Sequence, residues 1–382
     1  MFCDFFGKCG GCAYLDISYE SELAQKREAL AEILGEYAEL LDELHPAPTV
    51  EGYRNKMELA FGDDGPERRL ALGIRKKRNF YEVANPENCV LICDDFKRVV
   101  KFAVEFFRES GEMFFHRKRH TGTLRHLVLR RGEFTGEILV LLSTASGVSD
   151  LASRFANELQ TLPIDGKIVG ILHSENDGVA DAVKNENVKI LHGNDYYNEL
   201  LCGLKFKVSM FSFFQTNSRA AEVLYEVVRK FALTGAIALD LYCGTGTIAQ
   251  IISSAFDKVV GVEIVEEAIH AARENAQMNG ITNCEFHAGD TFALLENLLK
   301  NEHADTIIVD PPRDGLHPKA LAKIAALPAP RLVYVSCKPK SLTRDIPTLI
   351  EAGYTLVKIE AVDMFPRTPH MEAIALLRRA DT

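Results

Sequence analysis

The sequence predicts a two-part α/β chain. A Rossmann-like unit, with a mostly parallel twisted sheet and an antiparallel last strand, follows an α+β unit. Three observations predict this. From Asn217 onward, short β-branched runs alternate regularly with amphipathic helical stretches. A glycine-containing loop follows the first of those runs. Before Asn217 the strand patterns are short, and only two helical patterns interrupt them. Regular β/α alternation implies a parallel sheet with helices on both faces. At 382 residues the chain can bury two hydrophobic cores.

The chain opens on closely spaced cysteines, Cys3, Cys9 and Cys12, with Gly10 and Gly11 among them. No basic stretch leads into a long apolar run, so a secretory signal is not expected. No apolar run reaches 18 residues, so neither is a membrane span. The expected location is cytoplasmic. There, nine cysteines, odd in number and unevenly spaced, suggest metal binding or catalysis rather than a disulfide framework. Ser18 to Leu44 reads as one amphipathic helix, stopped by His45-Pro46-Ala47-Pro48. Strand patterns follow at Met57–Phe61, Leu70–Ile74, Phe80–Val83, Leu124–Leu129, Ile138–Leu142, Ile168–His173 and Phe206–Met210. Helical patterns fall near Asp94–Glu109 and Asp150–Leu159. The chain carries a net charge of −10, yet Val50 to Arg131 alone carries +6. A basic segment on an acidic chain suits a face turned to nucleic acid. Its candidate phosphate contacts are Arg75-Lys76-Lys77-Arg78, Arg117-Lys118-Arg119-His120 and Arg130-Arg131.

In the second part, helix Ser218–Phe231 precedes a buried strand, Ala236–Tyr242. Helices Ile248–Ala255, Glu266–Asn279, Phe292–Lys300, Lys319–Leu327 and Leu342–Ala352 then alternate with strands Lys258–Glu263, Cys284–Ala288, Thr306–Val309 and Leu332–Val335. Strands Leu356–Ala361 and Ala373–Arg378 close the series. In such a fold ligands sit beyond the carboxyl ends of the strands. The glycine loop, Asp290, Asp310 and Cys337 all fall there.

Four motifs carry chemistry. Asp240-Leu241-Tyr242-Cys243-Gly244-Thr245-Gly246-Thr247 lets the backbone pass close to a ligand, and Glu263 stands about 20 residues on, where a carboxylate can accept from a ribose diol. The loop lacks both the third glycine of a dinucleotide fingerprint and the Lys-Ser/Thr of a phosphate loop. Asp310-Pro311-Pro312-Arg313 and Ser336-Cys337-Lys338-Pro339 each end a strand. A cysteine there is a candidate nucleophile, although packing as a small apolar residue is the commoner fate. His370-Met371-Glu372 leads into the last strand, and Glu372 would stand at the sheet mouth. Phe211-Ser212-Phe213-Phe214-Gln215-Thr216-Asn217 mixes aromatics with amides. Phe213 could stack on a base and Gln215 read its edge, whereas core packing is the ordinary role of such phenylalanines.

These motifs together resemble the RNA 5-methyluridine methyltransferases, specifically the iron–sulfur-containing 23S ribosomal RNA branch. The resemblance runs from Cys3 to Arg378 through Cys-x5-Cys-x2-Cys, Phe-x-Gln-x-Asn, Asp-x-Tyr-Cys-Gly-x-Gly, Asp-Pro-Pro-Arg, Ser-Cys-x-Pro and His-x-Glu. It implies a class I methyltransferase domain at 211–382 that uses S-adenosyl-L-methionine. It implies a preceding RNA-binding α+β domain at 1–210 with a cysteine-ligated cluster, the 18–44 helix being able to pack on the catalytic domain. Cofactor contacts would come from Gln215, Tyr242, Gly244, Gly246, Glu263, Asp290 and Asp310. Cys337 would add to carbon 6 of a flipped-out uracil, Glu372 would remove the carbon 5 proton, and Asp310 would assist. Phe213 and Gln215 would hold the base. A [4Fe-4S] cluster would be bound by Cys3, Cys9, Cys12 and Cys89, with Cys93 a rival fourth ligand and a four-thiolate zinc site the alternative on spacing alone. A local positive charge is expected to favour the Cys337 thiolate, with Lys338, Arg313 or the cofactor's sulfonium as its source. The chain begins at the cluster, without the N-terminal β-barrel RNA-binding domain of larger relatives. The expected partner is 23S rRNA in a structured loop, with no membrane and no obligate protein partner. The rivals are a tRNA uridine methyltransferase, a non-catalytic RNA-binding iron–sulfur protein, and an amine methyltransferase. Arg313 disfavours the last, since those enzymes carry an aromatic there.

Overall fold

The structure, a computed structural model, describes residues 3–65, 67–77, 79, 81–289 and 303–379. Arg78, Phe80, Asp290 and the helix expected at 292–300 therefore lie outside the described residues. Helix α1 (Tyr19–Leu34) opens at Ser18, whose hydroxyl oxygen accepts from the Ser21 N–H. It does not run on to Leu44 as expected. Gly35 takes a positive φ of 57° and ends it, residues 35–40 make a 3-10 turn, and β1 (Leu41–His45) follows. The leucine spacing fits a helix, but Leu41 satisfies its apolar surface as the buried residue of a strand.

A seven-stranded sheet forms from β2 (Lys56–Asp63), β3 (Leu70–Arg75), β4 (Val83–Ala84), β5 (Leu124–Arg131), β6 (Glu137–Thr144), β7 (Lys167–Glu175) and β8 (Val188–Gly193), in the order β4-β3-β2-β5-β6-β7-β8. Only β6 and β7 pair in parallel, joined by helix α3 (Ser149–Leu159). Helix α2 (Asp94–Ser110) and α3 cover one face, where Phe61, Phe107, Phe155, Leu129 and Val140 share a core. The other face sends Val128, Leu139 and Leu141 against Tyr197 and Phe206 of a hairpin, β9 (Tyr196–Leu201) and β10 (Leu204–Ser209). Strands β8 and β9 had no clear sequence signal, because β8 alternates only weakly between buried and exposed positions.

After helix α4 (Ser218–Ala232) come β11 (Gly235–Leu241), α5 (Thr247–Ile252), β12 (Phe256–Glu263), α6 (Glu266–Met278), β13 (Cys284–Ala288) and β14 (Thr306–Val309). Then follow α7 (Pro318–Ala326), β15 (Arg331–Ser336), α8 (Pro339–Glu351), β16 (Tyr354–Val362) and β17 (Glu372–Arg379). The sheet order is β1-β16-β17-β15-β14-β11-β12-β13. Strands β11 to β15 are mutually parallel, while β17 runs antiparallel to both β15 and β16. Central residues such as Leu239, Val260, Ile307, Leu332 and Val333 are fully or almost fully buried. Each contributes about 1.5–3 kcal/mol relative to exposure.

Two consequences set the site. Strand order reverses between β11 and β14, opening a crevice at their carboxyl ends. Because β17 is reversed, its first residue, Glu372, lies at that same edge, one register step from the end of β15, where Ser336 faces Ala373. Among the described residues no helix is long and apolar enough to cross a membrane.

Candidate active site

The loop after β11 is built for close approach. Tyr242 and Gly244 both hold positive φ, 66° and 53°. A side chain added at Gly244 would meet nothing within 4 Å, whereas one at Gly246 would strike Phe286 at 2.6 Å. Gly246 is thus required by packing, and Gly244 borders open space. The Glu263 carboxylate accepts from the Gly244 N–H at 3.2 Å and from the Ile264 and Val265 N–H groups, which fixes it beside that space. Asp240 is fully buried. One of its oxygens accepts from the Ala249 N–H at 2.9 Å and the other has no partner. Burial pushes its carboxyl up to about 8. A loop with open space at Gly244, an anchored acid and an orphaned acid oxygen fits a polar ligand such as an adenosyl amino acid. Asp240 was not singled out from the sequence, although it opens the quoted motif.

Cys337, Glu372 and Asp310 come together. Cys337 is half-buried, and its thiol is pushed up to about 11 by burial, then by Glu372 and Asp310, with Arg313 opposing. Glu372 is buried and raised well above the ordinary carboxylate range, first by burial and then by Asp310. Burial lifts Asp310 to about 7. The expected electropositive setting for Cys337 is therefore not present in the ligand-free protein. Burial, with the two acids adding to it, outweighs Arg313, and Lys338 turns instead toward Asp314 at 3.8 Å.

The segment 211–217 divides between surface and core. Phe213 is 72% exposed, while its neighbour Phe214 packs in the core against Phe206. Core packing thus claims Phe214 and leaves Phe213 free. Gln215 is buried, and its backbone carbonyl accepts from Asn55 at 3.0 Å. Arg130 was expected to contact phosphate but is buried. It donates to the carbonyls of Ser209, Met210 and Ser212, so it shapes the root of this segment. Arg131 pairs with Glu133 at 3.0 Å. Arg75 and Arg117 are drawn to Asp181, which also bonds His126 at 3.0 Å.

At the N-terminus, Cys12 and Cys89 identify their own neighbours. Burial pushes the Cys12 thiol up to about 12, and nearby Cys89, Cys9 and Cys3 add to the effect. Cys89 is raised by burial and also by Cys3 and Cys9. Cys93 opens α2, and after burial its leading influences are the N–H of Phe96, Arg131, Asp95 and Glu133 rather than another thiol. A Cys9 sulfur accepts from the Gly11 N–H at 3.4 Å, the kind of contact a thiolate ligand loop uses. Among the described residues, the acid, histidine and thiol groups gathered within 4.8 Å do not include these cysteines. A single zinc ion would bring four sulfurs to about 3.8 Å of one another, given Zn–S bonds of about 2.3 Å. Among the described residues, no three of the four thiols lie that near one another in the ligand-free protein. The trio that is that close, Glu43, His45 and Glu360, already has Lys230 and Lys358 on Glu360.

This is a class I S-adenosylmethionine methyltransferase-like fold, with mixed sheets and an acid–thiol pair at the strand ends. Comparison with known proteins narrows it. Residues 180–380 match the model of the tRNA (uracil-5-)-methyltransferase family. An uncharacterized RNA methyltransferase of Clostridium tetani is 42% identical, the match covering all of this chain and 84% of that one. Another, from Porphyromonas gingivalis, is 36% identical over 99% of this chain and 86% of its own. The crystal structure of Pyrococcus abyssi tRNA (uracil-54, C5)-methyltransferase in complex with S-adenosyl-L-homocysteine superposes with a TM-score of 0.79 at 30% identity, covering 96% of this chain and 85% of that one. The chain belongs to the tRNA (uracil-5-)-methyltransferase family, and is an RNA uracil-5-methyltransferase.

Proposed function

We propose that this protein methylates carbon 5 of a specific uridine in 23S rRNA, through a covalent bond between Cys337 and carbon 6 of the base. The observation that carries the chemistry is the convergence of Cys337, Glu372 and Asp310 at the sheet edge beside the Gly244 loop. When bound there, S-adenosylmethionine supplies an electrophilic methyl group and a sulfonium charge. Carbon 5 of uracil is a weak nucleophile. Addition of the Cys337 thiolate to carbon 6 moves the ring's π electrons toward carbon 5 and the carbonyl at position 4, so carbon 5 can take the methyl group. The Glu372 carboxylate then accepts the carbon 5 proton. The released electron pair restores the 5,6 double bond and expels the thiolate. Burial favours the protonated form of both groups in the ligand-free site, so each has to give up a proton to solvent before it acts. In this reading Asp310 and Gln215 hydrogen-bond the uracil or the cofactor. Phe213, an exposed aromatic two residues before Gln215, is suited to stack on the flipped base.

The four gathered cysteines support a [4Fe-4S] cluster, whose sulfur ligands stand farther apart than those of one ion, with Cys89 rather than Cys93 as the fourth ligand. That set favours ribosomal RNA as substrate. The family description and the Pyrococcus structure favour tRNA as the second reading. The test is RNA bearing 5-fluorouridine at the target, incubated with S-adenosylmethionine. Fluorine cannot leave as a proton does, so a denaturant-stable complex joined at Cys337 is expected, and none with Cys337→Ala. Wild-type protein that never cross-links would overturn the mechanism. Radiolabelled methyl transfer to 23S rRNA fragments against tRNA decides the substrate.

A further inference from the structure

The segment between β16 and β17 has no regular structure, yet it ends at Glu372. Four consecutive carbonyls in it are each held by a different part of the molecule. Met364 O accepts from Asn217, at the N-cap of α4, at 3.0 Å. Phe365 O accepts from Lys26 of α1 at 3.3 Å. Pro366 O accepts from the buried Tyr53 hydroxyl at 3.0 Å. Arg367 O accepts from the N–H groups of Ala13 and Tyr14, directly after Cys12, at 2.7 and 3.3 Å. Arg367 itself sits at a positive φ of 68°. Its N–H donates to Glu22 at 2.6 Å, and its guanidinium donates to Ile17 O at 3.2 Å, Glu22 at 3.3 Å and Tyr14 O at 3.4 Å. Tyr53 belongs to a short stretch that also holds the segment after Cys89: Gly52 N–H donates to Val90 O and Arg54 N–H to Leu91 O. The cysteine-bearing N-terminus and the run-up to Glu372 are thus one hydrogen-bonded body.

We propose that Arg367 is a positioning residue for proton removal. By gripping residues 14–22 it holds 364–371 in the one form that aims Glu372 at the carbon bearing the departing proton. This rests on the reading of Glu372 as the base. Addition of Cys337 and methyl transfer depend on other strands, β14 and β15, so loosening Arg367 slows release of the product and leaves the earlier steps largely intact. No such separation follows if Arg367 only stabilises the fold.

The experiment is single-turnover methylation of ordinary uridine RNA by the full-length, metal-loaded protein. Methylated RNA still bound to protein after denaturation is separated from free product. Arg367→Met keeps the aliphatic stem and removes the guanidinium. It should slow release by tenfold or more, with methylated adduct accumulating, while adduct formation changes by less than threefold. Arg367→Lys should fall between Arg367→Met and the wild type. Tyr53→Phe removes one grip without disturbing Arg367 and keeps the test alive if Arg367→Met folds poorly; it should show the same adduct signature, more weakly. Hydrogen exchange on RNA-free protein should quicken across 364–371 in Arg367→Met. Equal slowing of formation and release, or wild-type release in all three variants, would overturn the inference while leaving the covalent mechanism standing. Absence of a 5-fluorouridine adduct in the wild type would overturn both.

Discussion

Asp240→Asn tests whether the cofactor crevice is held in an electrostatically unfavourable state when empty. The wild-type carboxyl is fully buried, keeps one hydrogen bond, and is pushed up to about 8. It therefore binds its proton more tightly folded than unfolded, where its ordinary value is 3.8. A raised carboxyl contributes stability that is complete below the unfolded value and is lost as pH rises through the folded one. Within that window about 1.4 kcal/mol is lost for each pH unit. Between pH 5.5 and 8 the wild type thus forfeits up to about 3 kcal/mol from this group. Asparagine stays neutral throughout. Its carbonyl can keep the Ala249 bond, and its amide occupies the place of the orphaned oxygen. Thermal unfolding of ligand-free protein at fixed scan rate, from pH 5.5 to 8.5, is the assay. The variant should gain on the wild type as pH rises, reaching a lead of about 3–4 °C near pH 8, given an unfolding entropy of about 2.1 cal/mol/K per residue. Asp310 and Glu372 are also raised, but they are present in both proteins and largely cancel in the difference. Parallel curves across the whole window would refute the reasoning.

Cys89→Ser should lower bound iron per chain, measured after anaerobic purification, whereas Cys93→Ser should retain it; the reverse pattern would remove Cys89 from the ligand set. Phe213→Ala should leave unfolding within about 0.5 kcal/mol of the wild type, because the ring is exposed. It should lower kcat/KM for RNA about 5- to 150-fold, the range expected for one lost base stack worth about 1–3 kcal/mol. Lys26→Met strips the cation from Glu22 and Asp363, with all three side chains fully buried. It should cost about 3–5 kcal/mol in urea unfolding, and a loss under about 1 kcal/mol would show that the network relaxes.

Most of the second sheet was legible in the sequence, since strands buried on both faces give continuous apolar runs bounded by helices. The Cys337 and Glu372 motifs were legible for the same reason: Cys337 follows the end of such a run and Glu372 opens one. Other features were hidden because they depend on tertiary context. Gly35 ends α1 through its backbone angle, while the leucines around it keep a helical spacing. Arg130 sits in a basic pair that reads as surface, yet three carbonyls brought in by β10 and the turn after it claim it. Tyr53 carries no local signal, because Pro366 lies 313 residues away, and the i,i+4 pair of Lys26 with Glu22 reads as a surface ion pair until Asp363 arrives from 337 residues on. The charge on Cys337 could not be read from adjacent lysine and arginine, since burial decides it first and the acids that add to it arrive from β17 and from the end of β14.

Strand β1 joins its sheet only beside β16, and Lys26 meets Asp363 across 337 residues of chain. During synthesis the first fifty or so residues therefore emerge with no seat. The helix carrying Lys26, and the cysteines before it, must wait until almost the last residue has been made. Any metal delivered to Cys3, Cys9 and Cys12 before that point reaches a loop whose backing, the 364–367 carbonyls, does not yet exist. Assembly of the thiol site is in this sense a late event, and a chain truncated a few dozen residues from its end loses both extremities together.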